Sequence, residues 1–391
     1  MNYQSSLLKK NIELIIMSPF VLAGKLAGRI FRLNHSHQLF IFCPSADIGG
    51  SIRVNADIAI CLKDKSPIVI FSKKPKNNKF LHLFESEKIR TIDLHRYIDN
   101  KAFHFINFFY RGVIAEWINR VDHPVVVGGE SIFFYKVLPH IKRSAFRADL
   151  CHLNTWFNYS QAFVEYLDAR IFSTPKIKRD AQEIYLRNKV PVKYHDRLHF
   201  IDNKIPIPVA KKKINKPLSV IYIGRGAPQK RVHLVAEIAK YFKDDPRIHF
   251  SFVGDVDKII DPLSYPYCTF YGNLRDDQKL EEIYNNSDVL LLTSKNEGLP
   301  LAVMEMMAYG NVIISTAVGG IPDYITDGEN GFLIQDSKYE TEIIRQAITI
   351  LNKLLENPSL LQKISLKGRE YAVEHFGGEA FCKNYRRILL H

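Results

Sequence analysis

At 391 residues, 46% hydrophobic and 24% charged, the chain has the length for two ordinary domains and the composition of a soluble globular protein, with no low-complexity tract or internal repeat. Its net charge of +13 is uneven: residues 1–216 carry 35 Lys and Arg against 18 Asp and Glu, and the remainder is mildly acidic, so the first half suits nucleic acid, an anionic membrane or a phosphorylated substrate. Five scattered cysteines without a C-x-x-C pair argue against a disulfide framework or a cysteine zinc site, and for a reducing compartment.

Residues 1–37 read as an N-terminal extension. Its apolar run LIIMSPFVLAG (14–24) is interrupted by Ser18-Pro19, and no run approaches the roughly 20 residues that span a bilayer. Lys9-Lys10 ahead of the run give it the outline of a signal peptide, but Glu13 at its entrance and Lys25, Arg29 and Arg32 behind it do not suit one. Two readings stay open: a segment lying on a membrane surface, apolar on one side and basic on the other, and a helix packed on the domain. His35 and His37 read as linker residues, with nothing nearby to make a metal site.

From residue 38 onward, short apolar runs alternate with helical patterns, as in βαβ units around parallel sheets. QLFIFCPS (38–45) reads as a first buried strand, followed by a glycine turn and an amphipathic helix. SPIVIFS (66–72) and HPVVVGG (123–129) read as further strands, with a helix over 108–120 between them. DLC leads as a strand into His152, and ARIFST (169–174) and LHFIDNKI (198–205) continue the pattern. The basic, proline-bracketed PVAKKKINKP (208–217) is the linker candidate. The alternation then restarts at 218–224, 248–254, 268–274, 288–294, 311–317 and 331–334, and the chain closes with helices over 340–356, 359–375 and 378–390. The fold class is α/β, two Rossmann-like domains in series, with the ligand expected in the crevice at the strand ends.

Within SKNEGLPLAVMEMMAYG (294–310), a strand ends, Pro300 fits the first turn of a helix and Gly310 stops it. The amides of Gly298 and Leu299 and the helix N-terminus then face one spot, a natural anion site. Glu297 would repel a phosphate there but suits the hydroxyls of a sugar, and Glu305 could accept from a second hydroxyl pair such as a ribose. The bland alternative has Glu297 capping and Glu305 exposed, with the methionines as core filler. In VIYIGRGAPQKRVHLVAEIAK (220–240), Arg225 and Lys230 follow another strand end, a fork and a point charge that together suit a diphosphate. Gly319-Gly320 supplies side-chain-free backbone at a third strand end. Asp255-x-Asp257 has the spacing of a metal pair, but it follows a strand where a connecting loop is expected.

The series strand-G-R-x(4)-K-helix, E-G-L-P-x(4)-E and VGGIPDYITDGENGFLI resembles the nucleotide-binding half of GT-B glycosyltransferases of the retaining, glycogen-synthase-like family 4, closely over 218–335 and more weakly in the N-terminal half. The resemblance implies domains at 38–210 (acceptor) and 211–375 (nucleotide sugar), facing a central cleft, with 376–391 as a helix crossing back to the first domain. It implies a nucleoside-diphosphate sugar, UDP- or GDP-linked, as donor and no further cofactor or metal. Arg225 and Lys230 would hold the diphosphate; Glu297 with the amides of Gly298, Leu299 and Pro300 the donor sugar; Glu305 the ribose; and the loop at Leu274 the base. Gly49 and Gly50 would approach the phosphates from the other domain. His152 lies where the family often has a histidine beside the donor sugar, which makes His152 and Glu297 the catalytic candidates. Glu130, at another strand end, is a weaker one. Arg231 departs from the Lys-Gly that commonly follows the family's G-R loop.

The expected function is a metal-independent, retaining hexosyl transfer to a glycan or lipid-diphosphate-linked acceptor in bacterial surface polysaccharide synthesis, cytoplasmic and peripheral on the inner membrane face. A GT-B nucleotide-sugar isomerase or phosphorylase is the alternative. A nucleic-acid-binding protein fits less well, because the basic residues are dispersed and no recognised binding motif is present.

Overall fold

The apolar runs form two parallel sheets. The computed structural model describes all residues except 1–2, 34–36, 48, 100–103, 153–156, 209–215, 275, 298–300 and 391. The first sheet contains β1 (Leu39–Cys43), β2 (Ile68–Phe71), β3 (Arg90–Asp93), β4 (Val125–Gly128), β5 (Phe146–Cys151), β6 (Ala169–Phe172) and β7 (Leu198–Phe200), in the order β3-β2-β1-β4-β5-β6-β7. The second contains β8 (Leu218–Ile223), β9 (Ile248–Val253), β10 (Thr269–Phe270), β11 (Val289–Leu292), β12 (Val312–Thr316) and β13 (Phe332–Ile334), in the order β10-β9-β8-β11-β12-β13. The longer helices are α1 (Tyr3–Ile30), α2 (Gly50–Cys61), α3 (His104–Asn119), α4 (Pro175–Arg187), α5 (Val232–Tyr241), α6 (Asp277–Asn285), α7 (Leu301–Ala308), α8 (Glu340–Glu356), α9 (Pro358–Phe376) and α10 (Gly378–Leu389).

Strands covered by helices on both faces are apolar at every position, and β1 is buried throughout. Its alternate residues serve different cores. Leu39, Ile41 and Cys43 join α2 and Phe381, Tyr385 and Leu389 of α10, while Phe40 and Phe42 join Ile114, Ala115 and Ile118 of α3. The edge strand β3, sequence RTID, is exposed at both ends, so no apolar run announces it. β5 and β6 carry buried charges because they satisfy one another. Arg170 Nε donates to Asp149 Oδ2 at 2.8 Å, its other nitrogens donate to Tyr185 and Ser160, and Tyr135 donates to Asp149 at 2.9 Å.

Two compact units result, one made of Met1–Asn203 with Phe381–His391 and the other of Lys204–Ala380. The boundary thus precedes the 208–217 linker candidate. Residues 204–208 run with the second unit, where the Ile205 amide donates to the Phe376 carbonyl at 3.0 Å and Arg369 donates to the Pro208 carbonyl at 2.5 Å.

The extension is not a separate piece, since α1 belongs to the first unit. It is also longer than the interrupted apolar run suggested: a single helix, long and apolar enough by length and composition to cross a bilayer. Pro19 has no N–H for the Ile15 carbonyl, but Ser18 Oγ donates to that oxygen at 2.8 Å, so the helix continues. One face docks closely. A Cβ on Gly24 would stand 1.9 Å from the Phe109 carbonyl oxygen, and one on Gly112 2.0 Å from that of Val21. Glu13 accepts from Arg111 at 2.7 Å and pairs with Lys136, and Lys10 pairs with Glu165. Burial alone would raise the Glu13 carboxyl, but Lys136 and Arg111 outweigh it and hold it below the usual range.

The cysteine expectation is corrected. Cys61, the last residue of α2, is disulfide-bonded to Cys382 on α10, with Cα atoms 5.3 Å apart and a separation of 321 positions in sequence. Spacing along the chain cannot reveal a pair that only the return of α10 brings together.

Candidate functional site

In the second unit the strand order reverses between β8 and β11, so their carboxyl ends border the crevice where ligands of open α/β sheets settle. The loop after β8 turns tightly on glycines: a Cβ on Gly226 would stand 2.0 Å from the Asp255 carbonyl oxygen. Arg225 is exposed at the rim and Lys230 is half-buried below it.

Arg231 then adopts φ +48°, a left-handed conformation that costs a side-chain-bearing residue about 1 kcal/mol. Its buried guanidinium offsets that cost. Nε donates to the Thr293 carbonyl at 2.5 Å, and Nη2 to the Ser294 carbonyl at 2.9 Å and Asp336 Oδ1 at 2.7 Å. Thr293 Oγ1 returns a bond to the Arg231 carbonyl at 2.9 Å. The loops after β8 and β11 are joined again where the Lys295 amide donates to the Gln229 carbonyl and Gln229 Nε2 to the Asn296 carbonyl, each at 2.9 Å. The sequence marked Arg231 only as a departure from glycine; the structure makes its guanidinium one of the links between the two loops.

Glu297 sits on this joined platform, 8% exposed. Its Oε1 accepts from Lys230 Nζ at 2.5 Å and from Ser294 Oγ at 2.6 Å. Lys230 and Glu297, expected to hold different parts of a ligand, are therefore partners of one another here. Gly319 has φ +61°, and a Cβ there would stand 1.7 Å from the Glu297 carbonyl oxygen, to which the Gly320 amide donates at 3.1 Å. The close approach that this glycine pair permits is that of the Glu297 backbone. Gly298, Leu299 and Pro300 lie outside the described residues.

Glu305, half-buried on α7, accepts from Tyr284 Oη of α6 at 2.9 Å, a contact with no signal in the sequence. Leu274 is half-buried in the loop after β10, beside Gly272, whose carbonyl accepts from the Gly254 amide at 2.8 Å. Asp255 accepts from the Gly226 amide at 2.9 Å and pairs with Lys258, which with that amide draws its carboxyl down to about 2. It shapes the glycine loop.

In the first unit the order reverses between β1 and β4. Gly49 precedes α2 and Gly50 opens it, and a Cβ at either would meet nothing within 4 Å among the described residues, so none of these demands a glycine there. Glu130, just past β4, holds a left-handed φ of +54°. Burial raises its carboxyl, a hydrogen bond from Ser51 opposes this and the Asp149 charge adds to it. His152 follows β5, and burial pushes its imidazole down to about 4, so it is neutral at pH 7. Glu130 Oε1 and His152 Nε2 are both buried and without a hydrogen-bond partner among the described residues. Two unsatisfied polar atoms at adjacent strand ends suit a ligand better than a core.

Residues 204–371 match the family model described as Glycosyl transferases group 1. The chain is 24% identical over 255 residues to the alpha-maltose-1-phosphate synthase of Mycolicibacterium smegmatis, covering 58% of this chain and 64% of that one. To an uncharacterized 41.2 kDa protein in the cps region of Klebsiella pneumoniae it is 26% identical over 289 residues, covering 70% and 76%. Among solved structures, Anabaena HepE in complex with UDP superimposes with a TM-score of 0.68 at 14% identity, over 90% of this chain and 99% of that one. The two parallel-sheet units therefore have the GT-B fold.

Proposed function

We propose that this chain, which belongs through residues 204–371 to the glycosyl transferases group 1, moves a sugar from a UDP- or GDP-linked donor to a glycan or lipid-diphosphate-linked acceptor. The placement of Lys230 against Glu297 at the β8/β11 switch point supports this most: a cation for the diphosphate and a carboxylate for the sugar hydroxyls stand within one hydrogen bond. Arg225 sits on the same loop. The relative from a cps region points the acceptor toward surface polysaccharide, and the basic first half toward the inner face of the cytoplasmic membrane.

In this reading the bond from the anomeric carbon to the diphosphate oxygen breaks, the acceptor oxygen bonds that carbon on the same face, and its proton passes to the departing phosphate. The anomeric configuration is retained. Arg225 and Lys230 stabilise the leaving charge without a metal, a contribution of several kcal/mol in such sites. Glu297 orients the sugar, and Glu305 and the loop at Leu274 hold ribose and base.

A thermal-shift panel of UDP, GDP and ADP with and without EDTA, on wild type and Glu305→Ala, tests it. Stabilisation by one nucleotide, indifferent to EDTA and weakened by the substitution, is the expected result. Absence of any shift at millimolar nucleotide on folded protein would remove the donor site and the proposal with it.

A further inference from the structure

The outer side of α1 is apolar although none of the described residues covers it. Leu8, Ile12, Ile15, Leu22, Leu26 and Ile30 are each between 49% and 74% exposed. At about 100° per residue they fall within one narrow stripe of the helix, opposite Gly24 and Gly28 on the docked face. The stripe widens onto α3, where exposed Phe105 stacks on Phe20 with ring centroids 6.2 Å apart. A contiguous apolar patch of this kind on a protein surface marks an interaction site.

Charge selects the occupant. Lys9 borders the stripe on one side and Lys25 and Arg29 on the other, and the only acidic residue of the helix, Glu13, is held by Arg111 and Lys136. A second copy of so basic a surface would be repelled, whereas an anionic bilayer attracts it. We infer that the outer face of α1 lies in the headgroup boundary of an anionic lipid surface, with the helix parallel to the membrane and its inner face still docked on α3. A spanning arrangement would break the Glu13 and Lys10 ion pairs and strip the helix from the close glycine contact at Gly24 and Gly112. The inference rests on, and sharpens, the membrane part of the proposed function, since it fixes which surface touches lipid.

The test is co-sedimentation of the full chain with vesicles of phosphatidylglycerol and phosphatidylcholine, against vesicles of phosphatidylcholine alone. Ile15→Glu/Leu22→Glu changes only exposed positions and leaves the docked face intact. Wild type should bind the anionic vesicles, with partitioning at least about tenfold weaker for the variant and for neutral vesicles, and carbonate washing should release it. Equal binding by the variant overturns the inference, as does retention after carbonate. So does a wild-type dimer in lipid-free ultracentrifugation that the variant makes monomeric. Nucleotide-induced thermal shifts, measured on the same two proteins, should be identical, so loss of the donor reading and loss of the lipid reading register separately.

Discussion

Lys230 Nζ and Glu297 Oε1 stand 2.5 Å apart with side chains 16% and 7% exposed, so each neutralises a charge the fold has largely removed from water. Removing one partner of such a pair strands the other. Lys230→Met should therefore cost about 3 kcal/mol in chemical denaturation. Lys230→Met/Glu297→Gln should regain most of that stability while leaving sugar transfer undetectable. Recovery of activity together with stability would show that the pair only holds the fold.

Arg231 separates conformation from contact. Arg231→Gly relieves the left-handed backbone but loses three hydrogen bonds, whereas Arg231→Ala loses the bonds and keeps the strain. Alanine should be less stable than glycine by about 1 kcal/mol. Both should bind nucleoside diphosphate more weakly than wild type in calorimetry, because the loop carrying Glu297 loses the guanidinium from among its ties to the loop carrying Lys230. Wild-type affinity in Arg231→Gly would mean that the loop keeps its shape without the guanidinium.

Tyr284→Phe removes the hydrogen bond that Tyr284 Oη donates to Glu305 without touching the carboxylate. It should cost about 1 kcal/mol of stability and leave nucleotide affinity within about threefold of wild type. Glu305→Ala should lose at least about tenfold in affinity, measured by calorimetry with the nucleotide that stabilises the wild type.

His152 and His140 are both held down to about 4, His152 by burial and His140 by burial and then the charges of Lys25 and Arg111. An unfolded histidine binds its proton near pH 6.5, so between about 6.5 and 4 the unfolded chain takes up protons that these residues in the folded chain refuse. Stability should fall as pH falls through that window. His152→Gln should flatten the slope by about 1.4 kcal/mol per pH unit, the value for one proton. An unchanged slope in urea titrations would place a protonated His152 in the folded state.

The residues that the sequence brings forward for this site are local along the chain. Gly224 to Lys230 and Glu297 to Glu305 are contiguous stretches, and strands buried on both faces betray themselves as unbroken apolar runs. What was not legible depends on return contacts. Arg231 looked like a departure until strand β11 brought the Thr293 and Ser294 carbonyls to it, and Cys61 met Cys382 only across the full length of the second unit. Edge strand β3 was hidden because an edge needs no apolar run, and the length of α1 because Ser18 supplies the bond that Pro19 removes.

The covering of one face of the first sheet by Phe381, Tyr385 and Leu389 also sets an order of events at the ribosome. The second unit is one continuous stretch and can fold as soon as it emerges, but the residues that finish the first unit are translated after it. At roughly 5–20 residues per second, the apolar side chains around Ile41 and Val69 wait many seconds for their cover. During that interval the earlier-made unit is the one exposed to chaperones and to aggregation, and a nascent chain stalled before Phe381 would carry a finished second unit beside an unfinished first.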